Sequence, residues 1–291
     1  MIVLVLRGGL GNQMFEYASA KAMALRAGTE LVLNTRLGFV SDKEFNRQYC
    51  LDCFGIKSIG HKMLSFDIPG GVFFEALSRK AGFHVFAPWY KVVFDKQVDI
   101  KEIKEHPEKY RNVLMQGTWN RTDEYFDDRQ EEVLDDLNLK WALPDIIRKY
   151  DDKIKRSPKP VVALGIRVYQ DVKDPSKAPE RQRPPQVSYI NNAMEWYVKK
   201  YGDVKFLVFT QVKQWFFDNV QTEKYDYEFV ETGMDDKTAI FDMYLFSKCD
   251  HYILTHSTFY AWGEKLNRNN DKNVIVPRTW SMTYKDNWIR L

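Results

Sequence analysis

The run Ile2-Val3-Leu4-Val5-Leu6, followed at once by Arg7-Gly8-Gly9-Leu10-Gly11-Asn12-Gln13, constrains this chain more than any other segment. A continuous apolar run has no polar face to turn to water, so it reads as a strand buried on both sides of a parallel sheet. The glycines predict a tight loop. An alanine-rich stretch over 12–27 then sets Phe15, Ala18, Ala22 and Leu25 on one helical face. Gly28 stops that helix, and 30–33 reads as a second strand. A strand–loop–helix–strand opening places the chain in the α/β class.

Further along, 40–110 is aromatic and irregular, and its elements are not assigned. An acidic helix is expected over 123–137, capped by Thr122. Ser157-Pro158-Lys159-Pro160 is the strongest boundary in the chain, dividing it into 1–157 and 158–291. Beyond it, strand and helix alternate again. Strands are expected over 161–168, 204–210, 251–255 and 273–276, and helices over 188–201, 238–247 and 259–267. A long charged loop over 169–186 reads as a flap. Two α/β halves joined by a proline-containing hinge predict two Rossmann-like domains facing a cleft.

Composition narrows the function classes. Lys and Arg number 43 against 40 Asp and Glu, a net charge of +3 over 291 residues. That balance gives no global case for nucleic acid, and allows only a local basic pocket for an anionic ligand. No apolar run reaches the length of a membrane span, and the first residues lack the basic and small-residue parts of a secretory signal. Cys50-x-x-Cys53 has no second pair to complete a zinc site. Buried, reduced thiols in a cytosolic protein, with no metal, are therefore expected.

Three segments have the makings of an anion site. In the first, the glycine loop lets a diphosphate approach the backbone and the helix N-terminus, with Gly9, Gly11 and the side-chain amides of Asn12 and Gln13 as ligand groups. A tight turn without a ligand is the alternative. A dinucleotide fingerprint fits poorly, because Met14 takes the place of its third small residue and Asn34 that of its ribose-binding carboxylate. In the second, Arg167 ends an otherwise apolar strand, where its guanidinium can grip a phosphate or form an interdomain salt bridge. In the third, Thr255-His256-Ser257-Thr258-Phe259 spans a strand-to-helix junction, where Ser257 and Thr258 bind an anion or simply cap the helix. His256 reads as catalytic or structural. Asp127-Asp128, Asp135-Asp136 and Asp235-Asp236 read as turn or solvated helix charges rather than metal ligands.

Gly8-Gly9-Leu10-Gly11-Asn12-Gln13-Met14-Phe15-Glu16-Tyr17-Ala18 resembles the N-terminal signature of the α-1,2-fucosyltransferases of glycosyltransferase family 11, whose usual text is GGLGNQMFQYA. Similarity continues in Gln116-Gly117-Thr118-Trp119, Tyr125-Phe126, 206–219 with Trp215, Asp242-Met243 through Cys249-Asp250-His251, Ser257-Thr258-Phe259, Trp262-Gly263 and Pro277-Arg278-Thr279-Trp280. The resemblance implies a GT-B-type fold and an enzyme that transfers L-fucose from GDP-β-L-fucose to O2 of a galactoside, with inversion and without a metal or other cofactor. It implies an acceptor-side domain over 1–157 and a donor-binding domain over 158–291. Asn12 then matches the glycine-loop asparagine and Arg167 the donor-phosphate arginine. Ser257, Thr258 and Phe259 match the diphosphate loop, and Asp242 joins the donor-binding set. Several residues depart from the family's pattern. Gly165-Ile166-Arg167-Val168-Tyr169-Gln170-Asp171 stands where the usual text is His-x-Arg-Arg-Gly-Asp-Tyr, Thr210-Gln211-Val212 replaces Ser-Asp-Asp, and His256 replaces an asparagine.

The chemistry follows from that reading. Departure of GDP develops negative charge on the diphosphate, which Arg167, Asn12 and the Ser257–Thr258 helix start would stabilise. Asp171 is the expected base for the acceptor hydroxyl, with Glu16 or no side chain as alternatives. A bacterial surface-glycan precursor or free oligosaccharide is the expected acceptor, and the expected location is cytoplasmic, with possible peripheral contact at the inner membrane face. Two other readings stand beside this one: a related transferase with a changed donor sugar, and a catalytically weak nucleotide- or glycan-binding protein of the same fold.

Overall fold

The computed structural model describes residues 1–291 except 41, 43–45, 57–76, 78–79, 82, 85–86, 121, 169–184, 236 and 283–284. The chain folds into two compact units, Met1–Trp141 and Ala142–Leu291. The break lies ahead of the predicted Ser157–Pro158 hinge because the helix Asp145–Lys155 packs on the second unit. Its Tyr150 hydroxyl donates to the Phe229 carbonyl at 3.3 Å, and its Asp151 accepts from the Tyr244 hydroxyl at 3.1 Å.

The first unit carries β1 (Ile2–Val5), α1 (Leu10–Ala27), β2 (Leu31–Asn34), α2 (Leu37–Val40), β3 (Phe83–His84), β4 (Ala87–Phe94) and β5 (Val113–Gln116). Its sheet runs β2-β1-β5-β4-β3, parallel except for the β3–β4 pair. All of β1 is buried, as its apolar run requires. Helix α1 starts at Leu10, two residues before the expected start, so Gly11 and Asn12 belong to its first turn rather than to the loop. Gly28 ends it at φ +58, a left-handed cap that a side chain disfavours. The acidic segment after Thr122 is not one helix. Thr122 does cap, accepting from Glu124 N at 3.2 Å, but it opens two 3₁₀ turns, and only then does the helix Gln130–Asp136 begin. Asp136 at its end takes the Tyr17 hydroxyl and the Lys21 ammonium, each at 2.7 Å, and so ties it to α1.

The second unit is a six-stranded parallel sheet in the order β11-β10-β9-β6-β7-β8. Its strands are β6 (Val161–Ile166), β7 (Lys205–Thr210), β8 (Asp226–Phe229), β9 (His251–Leu254), β10 (Val274–Val276) and β11 (Ile289–Arg290). The helices Val187–Tyr201, Lys213–Asn219, Ile240–Ser247 and Thr258–Leu266 connect them. Predicted and observed elements agree within a residue or two, but the sequence reading omitted the helices Asp145–Lys155 and Lys213–Asn219 and the strands β8 and β11. Gly165 in mid-β6 answers a packing need. A Cβ there would stand 2.5 Å from the Tyr260 ring, so the glycine is what lets the Thr258–Leu266 helix lie against the strand.

Candidate functional site

In the first unit β1, β5 and β4 run parallel, so their carboxyl ends share one sheet edge, the edge at which α/β sheets bind ligands. The glycine loop leaves β1 there. Gly8 has φ +68, and a Cβ on it would meet Asn12 Nδ2 at 2.7 Å, so both backbone and space demand glycine. Gly9 is the N-cap of α1, and a Cβ on it would stand 3.8 Å from the Arg47 guanidinium. Arg47 is a cation at this loop that nothing in the local sequence pointed to.

Asn12 and Gln13 separate here. Gln13 is fully buried; its Nε2 donates to the carbonyls of Gly8 and Gln48, both at 2.8 Å, and its Oε1 accepts from Cys50 N at 2.9 Å. With both donors committed it braces the loop from inside, which corrects the expectation that it binds an anion. Asn12 is half-buried, and its Oδ1 accepts from Asn120 Nδ2 at 3.4 Å. Asn34 accepts from the N–H groups of Arg36 and Leu37 at 3.1 and 2.9 Å, a cap for α2 in the place of a ribose ligand. Cys50, Cys53 and Cys249 are buried and not in disulfides.

Beside the loop, the chain after β5 makes an unusual turn. Gly117 has φ +103 and Trp119 φ +47, a region that costs a bulky side chain roughly 1–3 kcal/mol. Trp119 is held there by complete burial, by its indole N–H on the Gln116 carbonyl at 2.8 Å, and by Tyr125, edge-on at 4.9 Å.

Glu16, the alternative base, is fully buried with Oε2 accepting Arg7 N at 2.9 Å and Oε1 without a hydrogen bond among the described residues. Burial holds its carboxyl well above the usual range, with the Asp95 charge adding to the effect and the Arg7 contacts opposing it. The geometry makes it an interior acid rather than a group open to an acceptor. A raised folded pKa means the native state keeps a proton that the unfolded chain has lost, so stability falls as pH rises above the ordinary carboxylate range. Glu16→Gln removes that penalty. Thermal melts should show the variant gaining on the parent between pH 5 and 8 by roughly 2–4 °C, the shift of about 1 kcal/mol in a domain of this size. A difference that stays flat across that range would show that Glu16 does not titrate there.

In the second unit β6, β7, β9 and β10 are all parallel, and the predicted groups gather at their carboxyl ends. Ile166 pairs with Thr210, so Arg167 and Gln211 follow side by side, and Arg167 Nη1 donates to Gln211 Oε1 at 3.0 Å. Thr255 fastens β9 to β6: its hydroxyl accepts from Arg167 N at 2.9 Å and donates to the Gly165 carbonyl at 2.8 Å. That clasp holds Arg167 next to the His256–Ser257 loop. Ser257 is the N-cap of the Thr258–Leu266 helix, yet its side chain makes no capping bond, so plain capping does not account for it. Thr258 and Phe259 are half-buried in the first turn. His256 Nε2 lies 3.0 Å from the Thr279 hydroxyl, and its ring stacks on Trp280 at 5.6 Å, which fits the structural reading.

Asp242 lies in the first turn of the helix Ile240–Ser247 and accepts from the Thr232 hydroxyl; burial raises its carboxyl above the usual range, and that hydrogen bond opposes the rise. The buried Tyr260 hydroxyl feels the charges of both Arg167 and Asp242, so all three sit in one neighbourhood. Asp171 lies outside the described residues. The sequence reading missed Gln211, the clasp of Thr255, and Thr279–Trp280 as the seat of His256. Each depends on a partner strand far along the chain.

Polar and cationic groups thus gather at the carboxyl ends of parallel α/β sheets, where folds of this class bind ligands. The family model for Glycosyl transferase family 11 matches residues 89–290, and the chain belongs to that family. The O-antigen biosynthesis glycosyltransferase WbnK of Escherichia coli is 32% identical over 111 residues, 36% of either chain. The galactoside alpha-(1,2)-fucosyltransferase 1 of Rattus norvegicus is 30% identical over 79 residues, 27% of this chain and 21% of that one. The chain thus covers about a third or less of these relatives' length. Among solved structures, fucosyltransferase NodZ from Bradyrhizobium matches with a TM-score of 0.54 at 17% identity, over 90% of this chain and 91% of that one. Arabidopsis thaliana FUT1, in complex with GDP, gives 0.54 at 13% identity over 91% and 68%. These likenesses make the fold GT-B-type. No described helix is long and apolar enough to cross a membrane.

Proposed function

We propose that this protein transfers L-fucose from GDP-β-L-fucose to O2 of a galactoside in a glycan acceptor, with inversion and without a metal. The acceptor oxygen forms its bond to the anomeric carbon as the bond from that carbon to the GDP phosphate oxygen breaks. GDP leaves with the electron pair, and the hydroxyl proton passes to a base, for which Asp171 is the proposed residue. The observation that carries the reading is the Thr255 clasp, which ties the Arg167 backbone to the strand end that leads into the Ser257–Thr258 helix start in a family 11 chain. Together they supply fixed positive charge where the diphosphate develops negative charge. The second unit is thereby the proposed donor side and the first the proposed acceptor side, with Gly9, Gly11 and Asn12 proposed as further ligands of the donor's phosphate. Likeness to an O-antigen glycosyltransferase supports a bacterial surface-polysaccharide acceptor, built at the cytoplasmic face. A second reading, transfer of another GDP-linked sugar, draws on the Arg167–Gln211 pair, an amide where the resemblance leads one to expect a carboxylate.

GDP should raise the melting temperature well above any shift caused by UDP or NAD. Ligand at a hundredfold over its dissociation constant gives about 2.7 kcal/mol of stabilisation. The shift should survive EDTA; sensitivity to EDTA would remove the metal-free part of the proposal. GDP release from a panel of GDP-sugars then separates fucose from other donors, and binding without release would leave a nucleotide-binding protein.

A further inference from the structure

Asn12 presents an amide to the glycine-loop site, but an amide turned one way offers N–H donors and turned the other way an oxygen. What sets its orientation comes from a turn 108 residues away in sequence. That turn is locked from beneath. Trp119 is kept at φ +47 by burial and by the Gln116 carbonyl, and Tyr125, packed against it, donates its hydroxyl to the Asp95 carbonyl at 2.7 Å. A backbone over-determined in this way fixes the polar side chains on either side of Trp119. Thr118 Oγ1 donates to Asn120 Oδ1 at 3.1 Å, which commits the Asn120 oxygen and leaves Asn120 Nδ2 to donate to Asn12 Oδ1 at 3.4 Å. With its oxygen engaged, Asn12 keeps Nδ2 as the group over Gly8.

We propose that Asn120 is a positioning residue: the strained Gly117–Asn120 turn, through the relay Thr118–Asn120–Asn12, holds the Asn12 amide with its N–H donors facing the anionic nucleotide-sugar. The proposal rests on the placement of Asn12 at the substrate, and its test separates the two. The strain at Trp119 has a purpose on this reading, since a relaxed turn would carry Asn120 away from the loop.

Asn120→Asp is nearly isosteric and still accepts from Thr118, but its carboxylate cannot donate to Asn12 Oδ1, so the Asn12 amide turns over and offers its oxygen to the substrate. Asn120→Ala leaves Asn12 free to adopt either face. In GDP release from GDP-β-L-fucose, with water as acceptor, Asn120→Asp should lower kcat/KM about 10- to 100-fold and Asn120→Ala by a smaller factor, roughly 3- to 10-fold. In an Asn12→Ala background both losses should vanish, and melting temperatures should stay within about 2 °C of the parent. A role in turn shape alone ranks the variants the other way, with Asp the milder. An Asn120→Asp loss that persists without the Asn12 side chain means its charge acts directly on the substrate. Either result overturns the proposal while leaving Asn12 at the site. If Asn12→Ala alone has no effect on GDP release, the placement of Asn12 fails, and the proposal with it.

Discussion

Replacing Arg167 by alanine should cost 10²-fold or more in kcat/KM for GDP release while the fold survives. The expectation follows from where the guanidinium sits. It is half-buried at the end of β6, its backbone N–H fixed by Thr255 and its Nη1 by Gln211, so it is oriented before any ligand arrives. A fixed donor aimed at developing charge is worth about 3–4 kcal/mol of transition-state stabilisation. Arg167→Lys should recover only part of the loss, because an ammonium cannot reproduce the two-pronged grip of a guanidinium. Both variants should melt close to the parent temperature. An alanine variant that is fully active but melts early would return Arg167 to a purely structural role.

The largest loss of stability is expected far from that edge. Glu264 is fully buried in the Thr258–Leu266 helix, and its Oε1 lies 3.0 Å from Lys272 Nζ. Lys272 also donates to the carbonyls of Glu264 and Asn267. Burial pulls the Lys272 ammonium below its usual range, opposed by the Glu264 charge. Lys272→Met leaves a carboxylate in the interior without its partner, which should cost about 3–5 kcal/mol. At 2–4 °C per kcal/mol in a unit of this size, the melting temperature should fall by roughly 10 °C. Adding Glu264→Leu should restore most of it, since apolar pairs often replace buried ion pairs at little cost. A single variant that melts like the parent would show that the buried pair adds nothing to stability.

Much of this architecture was legible in the residues alone. The run at Ile2 and the strand Val161–Ile166 that leads to Arg167 are apolar throughout, the pattern of a strand buried in a parallel sheet. The helix Asp145–Lys155 was missed although Ile147, Tyr150, Asp151 and Ile154 recur at helical spacing after Pro144. The prolines at 158 and 160 drew the boundary past it, yet the contacts that decide domain membership, from Tyr150 and Asp151 to Phe229 and Tyr244, are tertiary. The same limit governs the site. Asn12 and Gln13 are adjacent amides of similar chemistry, and only the carbonyls of Gly8 and Gln48 reveal that one of them faces inward. Gln211 and Asn120 carry no local signal, because the residues they hold are 44 and 108 positions away.

The strand order of the first unit also bears on how the chain is made. β1 lies between β2 and β5, but β5 begins at Val113, long after β2 has ended at Asn34. While the chain leaves the ribosome at about 5–20 residues per second, one flank of a wholly apolar strand waits on the order of ten seconds for its partner. Unpaired edges of this kind are where nascent chains stick to one another. The narrowest passage in this protein's life is therefore the interval before Val113 emerges, and soluble yield should respond to translation speed and chaperone supply more than to the final strength of either folded unit.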